Sequence, residues 1–260
     1  MERLLGVSKG AVPILTQPKH KSNSAVIALV ISLAGLSFFP FLLLNPPPTI
    51  IIPWQTRLVG SLFALICIFG IVAGVSPRHC SFSFRSRRKH TEVKSSKSNS
   101  QPSSSIQKRG HHPTCEAYAG HVLKIQSRTL CAGCSGLVTG AAFAILGTVF
   151  VFFMGWQFYD PYLVFWIGFF FVFFGLIQHL IYQILKVNQG TVRFIVNILF
   201  VLGPFLLLAS LIPISNNLTL AGYLLLLTLY WIFTRIAMSQ RSHRLMCKRC
   251  TDLTCALREV

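Results

Sequence analysis

Cysteine and histidine side chains, the groups best suited to bind a soft metal ion or to act as thiolates, form two clusters in this sequence. The first, within 111–134, contains His111, His112, Cys115, His121, Cys131 and Cys134. The second, near the end of the chain, contains His243, Cys247, Cys250 and Cys255. Both contain a C-x-x-C pair, the spacing that lets two sulfur atoms from one tight turn bind the same tetrahedral metal ion.

These ligand types predict zinc, because thiolate and imidazole suit zinc whereas carboxylates suit calcium or magnesium. The predicted metal ligands are His112, Cys115, His121, Cys131, Cys134, Cys247, Cys250 and Cys255. Two arrangements fit. In the first, each cluster forms its own site: His112, Cys115, Cys131 and Cys134 bind one ion, with His121 as a spare or supporting group, and Cys247, Cys250 and Cys255 bind another with His243. In the second, Cys131, Cys134, Cys247 and Cys250 share one site that joins a loop to the tail. An iron-sulfur cluster is the alternative cofactor, since it also accepts C-x-x-C spacing.

Two other functions remain open for the same residues. Cys131 and Cys134 precede an apolar segment, and the N-terminus of a helix favours a thiolate, so the pair suits thiol-disulfide exchange. In that case one of the two thiols attacks the disulfide of a partner. A metal transporter or sensor would need ligands inside the membrane, where only His179 and Cys67 offer themselves.

Six apolar segments are long enough to cross a bilayer, which takes about 20 helical residues. Two fall within 25–75 and four within 135–236. The predicted spans are 25–44, 58–75, 135–155, 162–185, 194–214 and 218–236. Since 53% of the 260 residues are hydrophobic, the composition agrees. The predicted fold is an all-α, polytopic six-helix transmembrane bundle with a small Cys/His-rich cytoplasmic metal-binding element.

Basic residues segregate to one side of these spans. There are 24 Lys and Arg against six Asp and Glu. With six spans, all basic residues except Arg57 lie on the side of both termini, or at its edge. Cytoplasmic loops are enriched in Lys and Arg. The sequence therefore predicts a multi-pass protein of the cell (cytoplasmic) membrane with a cytoplasmic N-terminus and C-terminus. Its loop cysteines would then face a reducing compartment, where paired cysteines are more often metal ligands or redox thiols than disulfides.

The remaining segments are mostly polar. We predict a basic N-terminus at 1–24, a disordered Ser-rich linker at 76–110, the Cys/His cluster at 111–134 and a Cys-containing tail at 237–260. The basic stretch 85–109 either attracts anionic lipid headgroups or is a solvated linker whose charge fixes topology. Because topology accounts for the formal charge of +18, the lipid bilayer is the expected partner and nucleic acid is disfavoured. The sequence does not identify a protein partner.

Polar side chains also occur inside the last three spans, near their predicted cytoplasmic ends. They are Gln178, His179, Tyr182, Gln183, Asn197 and Arg235. Polar residues within a membrane usually face the interior of the bundle, so these predict either an intramembrane pocket or hydrogen bonds between helices. In the third span, Gly136, Gly140 and Ala144 recur every four residues and predict close packing against another helix.

The motif Cys131-Ala-Gly-Cys134-Ser-Gly-Leu, leading into a span, resembles the C-A-R-C-T-G-type signature of a family of uncharacterised prokaryotic membrane proteins of unknown function. The resemblance covers this motif, the preceding His- and Cys-containing stretch and the following helices. It departs at Gly133, where the signature has a basic residue. The resemblance implies a multi-pass cell-membrane protein and supplies no activity.

Motifs of hydrolytic enzymes are missing from the sequence. There is no H-E-x-x-H, P-loop or G-x-S-x-G motif, and general acids are scarce. The Cys-rich loop between spans resembles the layout of protein palmitoyltransferases, but the Asp-His-His-Cys core of those enzymes is missing. The sequence therefore favours a non-enzymatic protein and leaves an enzyme of the thiol redox class open.

Overall fold

The computed structural model of the protein describes residues 23–44, 54–75, 120–125, 128–185, 189–215 and 217–248. Within them lie six long helices and one β-hairpin. The helices are α1 (Asn23–Leu44), α2 (Gln55–Val75), α3 (Ala132–Thr148), α4 (Pro161–Leu185), α5 (Gly190–Ile214) and α6 (Leu218–Lys248), with a π-helical turn (Val149–Phe153) extending α3. All six are long and apolar enough to cross a membrane. The prediction of an all-α bundle with six helices of spanning length and composition is therefore confirmed.

The helices begin or end beyond several of the predicted apolar runs. α2, α3 and α5 each start about one turn before the predicted apolar run. The first turn of a helix lies at the membrane edge and can contain polar residues, because water can bind the N–H groups that have no partner within the helix. α6 continues about three turns past the predicted end at 236. Residues in this extension include Met, Gln, Arg, Leu and Lys, which favour helix in water as well as in a bilayer.

The hairpin joins β1 (Val122–Ile125) to β2 (Arg128–Cys131) in antiparallel register, with Val122 opposite Cys131. Its second strand runs directly into α3. Its first strand contacts the start of α5, since a Cβ atom added to Gly190 would lie 2.7 Å from the carbonyl oxygen of Val122. The hairpin thus sits on one end of the bundle, which we call the hairpin side.

Close packing centres on α5, the most buried of the six spans. A Cβ atom added to Gly136 of α3 would lie 2.5 Å from the carbonyl oxygen of Phe194, and one added to Gly140 would lie 3.0 Å from the backbone of Ile198. On α4, Gly168 faces the carbonyl oxygen of Gly203 in the same way, at 2.9 Å. The predicted close approach of the third span is confirmed, and its partner is α5.

The opposite side of the bundle holds the starts of α4 and α6, and each is capped by a side chain. Asp160 accepts hydrogen bonds from the backbone N–H groups of Tyr162 and Leu163, both at 3.0 Å. Asn217 accepts from Thr219 and Leu220 at 2.8 and 3.2 Å. These caps satisfy N–H groups that have no partner within their own helix.

Candidate functional site

Cys131 and Cys134 lie at the point where the hairpin becomes α3. Cys131 is the residue before the first helical turn, with extended backbone (φ −68°, ψ 117°), and Cys134 lies within that turn. The Ser135 hydroxyl donates to the Cys131 carbonyl oxygen at 2.8 Å, which fixes the start of the helix. Both cysteines are partly exposed, and no disulfide joins them. The N–H groups and dipole of this helix end favour the thiolate form.

His121 is brought close to this turn by the hairpin. It precedes Val122, whose cross-strand partner is Cys131, and only 6% of its surface is exposed. Four other predicted ligands, His112, Cys115, Cys250 and Cys255, lie outside the described residues, as does the side chain of Cys247 on the last turn of α6. Within the part of the chain that is described, no three His, Cys, Asp or Glu side chains form a group that could hold a metal ion.

Beneath the hairpin, Arg235 of α6 is buried inside the bundle with 7% of its surface exposed. Its guanidinium donates to the carbonyl oxygen of Gly175 and to the side-chain oxygen of Asn197. Gln178 turns its amide oxygen toward Arg235, because the opposite orientation would set two groups of donors against each other. The guanidinium carbon also lies 4.8 Å from the centre of the Phe200 ring. All four contacts are with uncharged groups.

A second arginine joins this cluster through Tyr182. The Tyr182 hydroxyl lies 3.4 Å from the other end of the Gln178 amide. The guanidinium of Arg193 stacks over the Tyr182 ring, 4.4 Å from its centre. Because Arg193 and Asn197 are four residues apart, they lie on the same face of α5. These contacts connect five side chains, and we call this set the arginine ring: Arg193, Tyr182, Gln178, Arg235 and Asn197.

The turn that carries the cysteines rests on the arginine ring. A Cβ atom added to Gly133, between the two cysteines, would lie 3.6 Å from the side-chain nitrogen of Asn197 and 4.0 Å from the sulfur of Cys131. Arg193 also interacts electrostatically with Cys131. The two predicted sites, cysteine pair and polar cluster, are therefore adjacent layers of one assembly on the hairpin side.

The structure brings together four of the polar residues that the sequence identified: Gln178, Tyr182, Asn197 and Arg235. The others are placed differently. His179 is buried on α4, about 100° around the helix from Gln178, and the side chain of Gln183 lies outside the described part.

Sequence reasoning missed Arg193 as a member of the cluster, because the predicted span began at 194. The signal that could have found it is its four-residue spacing from Asn197. The α5 helix in fact begins at Gly190, and this extra turn brings Arg193 into the bundle.

Comparison of the chain with family models, with curated proteins and with solved structures finds no match. The resemblance drawn from the Cys131-Ala-Gly-Cys134 motif therefore stays a prediction.

Proposed function

We propose that this multi-pass membrane protein binds a metal ion, zinc in preference, through Cys131 and Cys134, and that the ion ties the loop before α3 to the C-terminal tail. The observation that carries the proposal is the register of the hairpin. Because Val122 pairs with Cys131 and Ala132 is already helical, both sulfur atoms are fixed on one turn, with His121 next to it. A C-x-x-C pair on a rigid turn is half of a tetrahedral zinc site.

The chemistry of the surrounding groups supports a soft metal rather than a hard one. Asp160, the single acidic residue in the described ranges, lies at the other end of α4. The remaining ligands would come from His112, Cys115, His121, Cys247, Cys250 and Cys255. An ion held by these ligands would cross-link two segments of the chain. This role is structural or regulatory rather than catalytic.

The chain's own contribution is to keep the two sulfur atoms ionised and correctly placed. The first N–H groups of α3 and the positive end of its dipole favour thiolates. Arg193 adds a full positive charge that interacts with Cys131. The positive-inside rule places this turn on the cytoplasmic face, where thiols stay reduced and available to a metal.

A thiol-disulfide exchange protein is the second candidate, and the position of Arg193 favours it. A cation beside a thiol at a helix N-terminus is the environment of reactive cysteines. In this case the Cys131 thiolate would attack a disulfide of a partner and displace one of its thiolates. Cys134 would then attack the mixed disulfide, so that the partner leaves reduced and Cys131–Cys134 is oxidised.

The decisive experiment is elemental analysis of the full-length protein, purified anaerobically in detergent, together with its visible absorption spectrum. We expect zinc, no colour, and loss of the metal in C131S/C134S. Complete loss in both C131S/C134S and C247S/C250S would indicate one shared site, and loss of about half of the metal in each would indicate two. The matched control is C67S, since Cys67 is buried in α2 about two turns from Gly74, the α2 residue that approaches Cys134.

Three results would argue against a zinc site. Iron with acid-labile sulfide would indicate an iron-sulfur protein. A protein without metal that forms a reversible disulfide between Cys131 and Cys134 would establish the exchange function. Unchanged metal content in C131S/C134S would place the ion elsewhere.

A further inference from the structure

We propose that the arginine ring binds one phosphate-bearing anion, either the headgroup of an anionic phospholipid or free phosphate. The inference concerns a site below the cysteines and does not depend on a metal there. It starts from charge. Arg193 and Arg235 bring two positive charges into one cluster, because Arg193 stacks on Tyr182, Tyr182 lies 3.4 Å from the Gln178 amide, and that amide faces Arg235.

The described part of the chain supplies no carboxylate to balance these charges. Its one acidic residue, Asp160, caps the start of α4 on the opposite side of the bundle. Among the described residues, Arg235 contacts a carbonyl, two amide side chains and an aromatic ring, all of them uncharged. A buried cation without an anion is costly in a membrane, and residues of this kind usually mark a binding site.

Hydrogen-bonding capacity is left over in the same place. The Nε–H groups of both Arg193 and Arg235 are buried and have no hydrogen-bond partner among the residues that the structure describes. Tyr182 adds a hydroxyl to the same cluster, since its ring lies under the Arg193 guanidinium and its hydroxyl lies 3.4 Å from the Gln178 amide. A guanidinium group is the side chain best matched to the oxygen atoms of a phosphate.

The position of the ring along the membrane favours a phosphate. Arg193 lies in the first turn of α5 and is partly exposed, at the edge of the span. The headgroups of a bilayer lie at this level. The helix α5 and, above the ring, α3 both begin on this side, so their dipoles add positive potential where the anion would lie.

Within the part of the chain that the structure describes, a Cys131 thiolate is the one negative group next to the arginine ring. It would neutralise one of two positive charges, and it interacts with Arg193. We therefore expect the anion to remain bound when both cysteines are replaced, which separates this proposal from the metal site.

The test uses native mass spectrometry of the full-length protein in neutral detergent with added phosphatidylglycerol. We expect one lipid per chain, and at least about a tenfold weaker retention in R193Q, equivalent to about 1.4 kcal/mol. R57Q is the matched control, because Arg57 is an exposed arginine in the first turn of α2. Circular dichroism and size-exclusion chromatography check that each variant is folded. In a second pair of variants, R235K keeps the positive charge and should retain more lipid than R235Q.

A second arm identifies the source of the phosphate. Thermal unfolding is recorded in sodium phosphate and in sodium chloride of equal ionic strength, without lipid. A rise in Tm in phosphate, lost in R193Q, would assign free phosphate; lipid retention without this rise would assign the headgroup. Equal lipid retention and equal Tm shifts in the wild type, R193Q and R57Q would mean an adventitious ion only and would overturn the proposal. Loss of the anion in C131S/C134S would also overturn it.

Discussion

Thr234 and Arg235 are neighbours on α6, yet they contact different helices. Thr234 makes neutral hydrogen bonds, whereas Arg235 brings a buried positive charge. The Thr234 hydroxyl lies 2.8 Å from that of Ser32 on α1 and 3.4 Å from the carbonyl oxygen of Ala28. Along the same contact between helices, the Trp231 ring N–H donates to the Ser32 carbonyl oxygen at 3.2 Å. We call this set of contacts the α1–α6 seam. It is neutral, and donors meet acceptors within the chain.

About 100° around α6, Arg235 brings a charge into the bundle, and its acceptors in the described part of the chain are all neutral. The difference separates two uses of polar groups in a membrane. A neutral pair such as Ser32 and Thr234 holds helices together and needs nothing further. A charged side chain without a counter-charge also holds helices together, but burying it costs free energy. Such residues are usually functional, for example in binding a ligand.

The largest expected effect comes from changing these two neighbours separately. Arg235→Gln removes a charged donor from contacts with Gly175, Gln178 and Asn197, and we expect a loss of about 3 kcal/mol in the free energy of unfolding. Thr234→Val should cost about 0.6 kcal/mol, a usual value for a hydrogen bond between membrane helices. Chemical unfolding in detergent measures both. Equal losses would erase the distinction between the seam and the ring.

The next effect concerns the contact that sets the cysteine turn on the ring. Gly136→Ala places a Cβ atom 2.5 Å from the Phe194 carbonyl oxygen, so α3 and α5 must separate. We expect a loss of about 2 kcal/mol, as is usual for overpacking. Gly70→Ala is the matched control, because nothing lies within 4 Å of its added Cβ. Equal stability of the two variants, again by unfolding in detergent, would mean that the approach of α3 to α5 is not tight.

A smaller effect tests the seam. Trp231→Phe keeps most of the ring buried but removes the N–H group that donates to Ser32. The expected loss is about 1 kcal/mol by thermal or chemical unfolding. Retention of phosphatidylglycerol in this variant would show that the seam does not contribute to the proposed anion site, whereas loss of the lipid would connect the two regions.

The smallest effect is kinetic. Replacing Arg193 by Gln removes the positive charge that interacts with Cys131. We expect Cys131 to be alkylated about threefold more slowly at neutral pH in the metal-free protein, because a smaller fraction is thiolate. Mass spectrometry of the labelled peptide gives the rate. An unchanged rate would mean that Arg193 does not affect the reactivity of Cys131 and that only the helix N-terminus does.

Much of this assembly follows from the sequence, because its causes are local. Uncharged runs of spanning length predict the helices, and the repeat of Gly136 and Gly140 predicts a close partner for α3. The four-residue spacing of Gln178 and Tyr182 predicts their contact, which the structure has at 3.4 Å.

The rest depends on tertiary contacts that leave no local pattern. Nothing around Gly133 indicates that it lies over Asn197, since the two are on different helices. The role of Arg193 depends on α5 starting a turn before its apolar run, and that start is supported by the hairpin strand packed against Gly190. The choice between one shared metal site and two also depends on tertiary contacts, and both arrangements stay predictions.

The central claim is that Cys131 and Cys134 hold the metal, and alkylation before and after chelation tests it most directly. Anaerobically purified protein is treated with a maleimide, with and without prior removal of zinc by a chelator, and each cysteine is quantified by mass spectrometry. We predict that Cys131 and Cys134 are protected until the metal is removed and then react rapidly, while buried Cys67 stays unreactive in both samples. Rapid labelling of Cys131 and Cys134 at the same rate in both samples would contradict the claim.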